Sequence, residues 1–130
     1  MSIRVVRLGS PRQPGEGLRI GTVRRPPRGI RKAEFATRNY FDLWFPDLSP
    51  TPATIARLKS GQGAPAWTAF VRRYRREMAR PGPSRALDLL AALSHAADFA
   101  VGCYCEDEAR CHRSVLAQLL AERGARFAGR

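Results

Sequence analysis

The stretch FAVGCYCEDEARCHRSVLAQLL, residues 99–120, restricts the fold more than any other part of this chain. An apolar, strand-like run gives out near Cys105, a five-residue loop follows, and an amphipathic helix opens between Cys111 and Ser114. A strand that feeds a helix through so short a connection is the repeating unit of an α/β sheet. In open sheets of that kind, ligands favour the crevice beyond the carboxyl ends of the strands. The segment that sets the architecture is therefore also the place to look for a site.

The remainder of the chain agrees with that architecture. IRVVRL (Ile3 to Leu8) and LRIGTVRR (Leu18 to Arg25) are β-prone runs separated by GSPRQPGEG, and Pro26 and Pro27, which cannot donate to a ladder, end the second. YFDLWFP (Tyr40 to Pro46) reads as a strand or a buried loop. SPTPATIARLKSG carries helix start and stop signals in the right order, with Pro52 early and Gly61 past the end. In PAWTAFVRRYRREMARPG, Trp67, Phe70, Val71, Tyr74 and Met78 form one apolar stripe, and the arginines lie mostly off it. PSRALDLLAALSHAA predicts a third helix with Ser84 as its N-cap. The last helix has Val115, Leu116, Leu119 and Leu120 on its apolar side and Gly124 where a C-cap belongs.

These elements predict a single α/β domain over residues 1–130, three-layer and Rossmann-like, with a central, largely parallel sheet flanked by helices and a loose tail over 125–130. No apolar run approaches the ~20 residues of a membrane span. The opening MSIRVVRLGSPR has no secretory pattern. The expectation is a cytoplasmic protein with no membrane partner, whose three clustered cysteines are reduced. The sequence leaves the oligomeric state open.

The net charge is +12, from 23 basic and 11 acidic residues. Such an excess suits a polyanionic partner, because basic side chains release counterions from phosphate backbones. A competing cause is genomic: only Lys32 and Lys59 are lysine, and arginine, like the abundant alanine, has GC-rich codons. The excess lies in the N-terminal half and in the arginines of VRRYRREMAR, which form either a nucleic-acid stripe or a solvated helix face. RRPPRGIRK (Arg24 to Lys32) packs five basic residues around two prolines and a glycine. A rigid loop of guanidinium groups would meet phosphate or carboxylate with paired hydrogen bonds, although a solvated basic loop has the same composition. Because it follows a strand, this loop is expected near the Cys105 loop, bringing Arg25 or Arg28 to the site.

Four readings of the Cys105 to Arg113 segment compete. In the first, Cys105 or Cys111 is a thiolate favoured by the helix N-terminus, His112 or Glu106 does proton work, and Arg113 clamps an anion. That layout is similar to the cysteine loops of rhodaneses and tyrosine phosphatases, but Glu106, Asp107 and Glu108 would repel an anion and raise a thiol pKa. In the second, Cys103, Cys105, Cys111 and His112 form a zinc set, at spacings unlike the usual knuckles. In the third, His112 and Arg113 only fix the loop and the cysteines are buried small hydrophobes. In the fourth, Cys105 and Cys111 form a disulfide. The pattern assigns no cofactor and no metal.

Two stretches taken together carry a family likeness. VRRPPRGIRKAEFATRNYFDLWFPDLSPT resembles the R-x-x-P-R-G region of the YeaO-like proteins, the family known as domain of unknown function 488, and CYCEDEARCHRSVLAQLL resembles that family's C-x-E…C-H-R segment. The likeness covers roughly residues 3–123. It implies a small cytosolic prokaryotic α/β protein with helices on both sides of its sheet and no established reaction. By position, it marks Arg25, Arg28, Gly29, Cys105, Glu106, Cys111, His112 and Arg113. Pro26 stands where YeaO-like proteins more often have an aromatic residue, and that branch often lacks the cysteine pair. The resulting expectation is a domain that binds or hydrolyses an anionic small molecule or nucleotide between the two loops. The alternatives are a non-enzymatic nucleic-acid module using the basic half, and a zinc-stabilised structural domain.

Overall fold

In a computed structural model of the chain, residues 1–105 and 110–129 are described. Among them, β1 (Ile3–Arg7), β2 (Leu18–Gly21), β3 (Leu43–Trp44) and β4 (Phe99–Cys103) form one all-parallel sheet in the order β1-β4-β2-β3. The helices are α1 (Pro52–Ser60), α2 (Gly63–Met78), α3 (Pro81–Leu93) and α4 (His112–Glu122). The last strand in sequence thus lies between the first two, with Ile3 opposite Phe99 on one side and Leu18 opposite Phe99 on the other. All five residues of β4 are buried, as a central parallel strand requires. Gly102 permits the close approach of β1, since a Cβ there would sit 2.5 Å from the Val6 carbonyl oxygen.

One face of the sheet, through Ile3, Ile20, Phe99 and Val101, packs on Phe70, Tyr74, Leu87, Leu90, Leu116 and Leu120 of α2, α3 and α4. Complete burial of each such side chain contributes about 1.5–3 kcal/mol. Side chains alternate along a strand, so Arg19 and Gly21, flanking Ile20, face the other way. That second face is covered by Phe41, whose ring lies against Gly21, and by the loops around a 3₁₀ turn at Lys32–Glu34. The result is the predicted three-layer α/β arrangement, with loops and a 3₁₀ turn, rather than an α-helix, in the second outer layer among the described residues.

Arg19 ties the second outer layer to the sheet. It is fully buried, and its Nε donates to Glu16 Oε1 at 3.1 Å. Its other donors reach the carbonyls of Ser10 (2.8 Å), Asn39 (2.6 Å) and Pro11 (3.1 Å). Its backbone N–H donates to Asp42, which also holds Arg12. Burial opposes ionisation of Asp42, but the bonds from the Arg12 side chain and the Arg19 backbone outweigh it and hold this carboxyl below the usual range.

Several local expectations meet a different outcome. The second run forms a strand only to Gly21; Thr22 still donates to the Gly102 carbonyl, and its own carbonyl accepts from His112 of α4. Tyr40 to Pro46 yields a strand of two residues, Leu43 and Trp44, with the buried apolar contact made by Phe41. Ser84 is not the cap of α3: Arg80 is, with Pro81 setting the first turn, and the Ser84 hydroxyl accepts from Arg123. In the stretch expected to be loose, Arg126 and Ala128 bond through their backbones to both sides of Ile3, so residues 126–128 line the free edge of β1. The helix stop at Gly124 is as expected, with φ +82° just past the end of α4.

Candidate active site at the carboxyl edge of the sheet

Three strand ends meet where β1, β4 and β2 stop, at Arg7, Cys103 and Gly21. Beyond them, Leu8 N–H bonds to the Cys103 carbonyl, and Thr22 donates to the Gly102 carbonyl through both N–H and Oγ1. These bonds continue the sheet by one residue and turn Cys103 and the Thr22 carbonyl towards the start of α4. Helix α4 begins with Cys111 as its extended N-cap and His112 as its first helical residue.

His112 spans the gap between α4 and β2. Its Nε2 bonds to the Thr22 carbonyl oxygen at 2.7 Å. A carbonyl only accepts, so Nε2 carries the hydrogen and Nδ1 keeps its lone pair. Nδ1 lies 3.8 Å from Cys111 Sγ. The ring also meets Tyr74 edge-on, with centroids 5.6 Å apart, and the Tyr74 hydroxyl is fixed on the Leu48 carbonyl at 2.6 Å. Burial pushes the His112 pKa down to about 4 against the opposing Thr22 hydrogen bond, and the Arg113 charge adds to the depression. The ring is therefore neutral near pH 7, an acceptor facing sulfur.

The sulfur opposite Cys111 belongs to Cys103. The two sulfurs are in direct contact, with Cα atoms 7.9 Å apart, and both residues are buried. This sets aside the fourth reading, a disulfide between Cys105 and Cys111: Cys105 is an exposed, free cysteine at the rim. Position 103 still belongs to the strand and turns into the protein, whereas 105 lies two residues beyond its end. By number the sequence names Cys103 only in the zinc set, although its burial also suits the reading of the cysteines as small hydrophobes. Parity puts Cys103 on the side of Phe99 and Val101 but would put Cys105 there too, so the signal that separates them is where the strand ends, at Cys103.

A cavity of about 780 Å³ opens over this floor. Cys103, Cys111 and His112 line its base, with Tyr40, Tyr104, Ile55 and Leu58 among the walls. Its cationic lining is Arg7, Arg24, Arg25, Arg28, Lys59 and Arg110, with no acidic side chain among the described lining residues. The two loops expected to meet do meet: the Tyr104 hydroxyl donates to the Arg25 carbonyl at 2.9 Å, coupling the end of β4 to the basic loop. Burial, aided by Tyr40, pushes that hydroxyl's pKa up to about 12, so it stays a donor.

The six cations differ in how they are held. Arg24 is committed to the Ser49 and Pro50 carbonyls, and Arg7 donates to the Tyr104 carbonyl. Arg110 stacks over Trp67 with 5.9 Å to the ring centroid. Arg25 and Arg28 are exposed and make no side-chain hydrogen bond or ion pair with a described residue. Arg113, expected as an anion clamp, is 4 % exposed and does not line the cavity; its guanidinium donates to the Cys105 carbonyl at 2.6 Å and holds the loop's entry. Glu106, with Asp107 and Glu108, lies outside the described residues.

Among the described residues, no helix is long and apolar enough to cross a membrane. Neither the curated proteins nor the solved structures yield a match to this chain. A family profile does match, over residues 3–124, and is described as DUF488-N3a, the active DUF488-N3 subclade. It takes in all four strands and all four helices, the basic loop, and the Cys-His-Arg segment. With nearly the whole chain matched, the protein belongs to the DUF488 family, the family of the YeaO-like proteins.

Proposed function

We propose that this domain binds an anionic small molecule of about nucleotide size in the cavity at the carboxyl edge of its sheet. The observation that carries the reading is the set of six cationic side chains around one cavity, two of which, Arg25 and Arg28, have their guanidinium donors uncommitted to described residues. About 780 Å³ is within the size range of small-molecule sites and accommodates a base and sugar beside a phosphate group. Tyr40 and Tyr104 offer aromatic surface, and Arg25 and Arg28 offer the paired donors that phosphate or carboxylate takes up. A bound ligand would lie over Cys111 and His112, so any hydrolytic step would take place there; Glu106 remains a candidate for proton work in the same loop.

Calorimetric titration with a nucleoside triphosphate, pyrophosphate and the uncharged nucleoside tests this. The triphosphate should bind at least about ten-fold more tightly than the nucleoside, since each charge-assisted hydrogen bond contributes roughly 1.5–3 kcal/mol. Equal affinity for charged and uncharged forms would reject the reading.

The exposed Arg72, Arg76 and Arg80 at and beyond the outer face of α2 favour a second reading, a surface for nucleic acid. DNA affinity would then fall steeply with salt, with a log–log slope near −0.9 per phosphate neutralised. A shallow slope with weak binding would remove that reading and leave the cavity reading intact.

A further inference from the structure

We infer that Cys103, Cys111 and His112 form a site for a thiophilic divalent cation such as zinc, with the fourth coordination position open to the basic cavity. The donor atoms of these three residues all lie within 4.8 Å of one another. They come from three directions: Cys103 from the end of β4, Cys111 from the cap of α4, and His112 from its first turn. Two thiolates and an imidazole are a donor set that zinc accepts, at about 2.3 Å to sulfur and 2.0–2.1 Å to nitrogen.

The histidine is prepared for this role. Metal-bound imidazoles usually donate their other ring N–H to a carbonyl or carboxylate, which fixes the tautomer and the ring plane. Here Nε2–H is fixed on the Thr22 carbonyl at 2.7 Å, so Nδ1 presents its lone pair on the side of Cys111 Sγ, 3.8 Å away. The edge of Tyr74 holds the ring from the core side. Cys111 and His112 are adjacent in sequence, a spacing that seldom serves one ion. It serves here because Cys111 is an extended cap (φ −120°, ψ 151°) and His112 is helical, so the two side chains leave the backbone in converging directions.

The cysteine geometry suits a metal better than a stable crosslink. A disulfide rarely spans Cα atoms more than about 7 Å apart. The Cα atoms of Cys103 and Cys111 are 7.9 Å apart. A tetrahedral ion at about 2.3 Å from each sulfur holds two sulfurs roughly 3.8 Å apart, which that backbone separation accommodates. The α4 N-terminus favours the thiolate at Cys111. Cys105 is not part of the cluster, and all three ligands line the cavity, so the remaining vertex faces the space assigned to an anionic ligand. Three protein ligands with one open position is the arrangement of reactive rather than purely structural zinc.

The test uses the whole chain, reduced and stripped of metal, titrated with Zn²⁺ against a chromophoric chelator and with Co²⁺ as a spectroscopic substitute, with no phosphate compound present. One equivalent should bind, and bound cobalt should show thiolate-to-metal charge-transfer absorption and intense tetrahedral visible bands. Cys111→Ser and His112→Ala should each loosen cobalt by about 100-fold or more, while Cys105→Ser leaves affinity within about three-fold. Azide added to the cobalt protein should shift the visible bands by occupying the open position. Should a variant fail to fold, the wild-type titration and the azide shift decide alone. Substoichiometric uptake, or a cobalt spectrum without sulfur charge transfer, would overturn the site. A Cys105→Ser loss equal to that of Cys111→Ser, or no azide response, would overturn the open position. Pyrophosphate binding to the metal-free chain is measured separately, so this inference and the cavity reading can each fail alone.

Discussion

Arg19 and the pair Arg25 and Arg28 lie within ten residues of one another, carry the same charge, and are used in opposite ways. Arg19 is buried against Glu16 and three backbone carbonyls, and it fastens two loops to the sheet. Arg25 and Arg28 are exposed on the rim of the cavity with no described partner. The difference comes from what the fold supplies. Around Arg19, the chain provides one carboxylate and several carbonyls that need donors, so the guanidinium is consumed in structure. Around Arg25 and Arg28 it provides two prolines and a glycine, which hold the loop and offer no acceptor side chain. A charge total says nothing about which case a given arginine belongs to.

The comparison is most exposed at Arg19. Arg19→Met removes the counter-ion of a buried carboxylate and leaves several carbonyls without donors. Losing one partner of a buried pair typically costs about 3–5 kcal/mol, and urea unfolding should show a loss of that size. A loss below ~1 kcal/mol would mean that water or rearrangement satisfies Glu16, and that the buried–exposed contrast carries little energy.

Arg25→Ala and Arg28→Ala sharpen the other arm. Both should leave unfolding free energy within about 0.5 kcal/mol, as surface substitutions do. Each should weaken triphosphate binding by about ten-fold, the loss of one charge-assisted hydrogen bond. Unchanged affinity in both variants would show that their lack of partners reflects solvation rather than readiness for a ligand. Wild-type stability with reduced affinity is an outcome that a structural role, like that of Arg19, would not give.

How much of this the sequence disclosed follows from the range of the interactions involved. The α2 stripe and the β4–loop–α4 unit were legible because periodicity and short connection length are local properties; Phe70, Tyr74 and Met78 are buried as their spacing requires. The meeting of the basic loop with the cysteine segment was legible from one rule about strand ends. The Arg19–Glu16 pair was not, because its acceptors come from Ser10, Pro11 and Asn39, and nothing within the run LRIG marks its arginine as buried. Nor was the choice between Cys103 and Cys105. They are two residues apart and share a strand parity, and only the point at which β4 ends separates the inward sulfur from the outward one. Arg113 suits a clamp by sequence, being cationic and close to the cysteines, but in the fold its guanidinium is spent on the Cys105 carbonyl.

The smallest expected effect concerns the carboxylate that joins the stapled layer to the sheet. Asp42 accepts from Arg12 at 2.8 Å and from the Arg19 backbone N–H at 2.8 Å, and its folded pKa lies below the ordinary value of 3.8. Because the folded state binds that proton less readily than the unfolded chain does, Asp42 contributes its full stabilisation above pH 3.8 and loses it as the pH falls through the lower, folded pKa. The side chain is partly exposed, so solvent screening limits the contribution to about 1 kcal/mol or less. Asp42→Asn should therefore lower stability slightly at neutral pH and reduce the slope of the wild-type decline in acid, with the two proteins converging at the lowest pH. Parallel acid limbs would mean that Asp42 is no more strongly held in the folded state than in the unfolded one, and that the second outer layer depends on the Arg19 guanidinium without its neighbouring carboxylate.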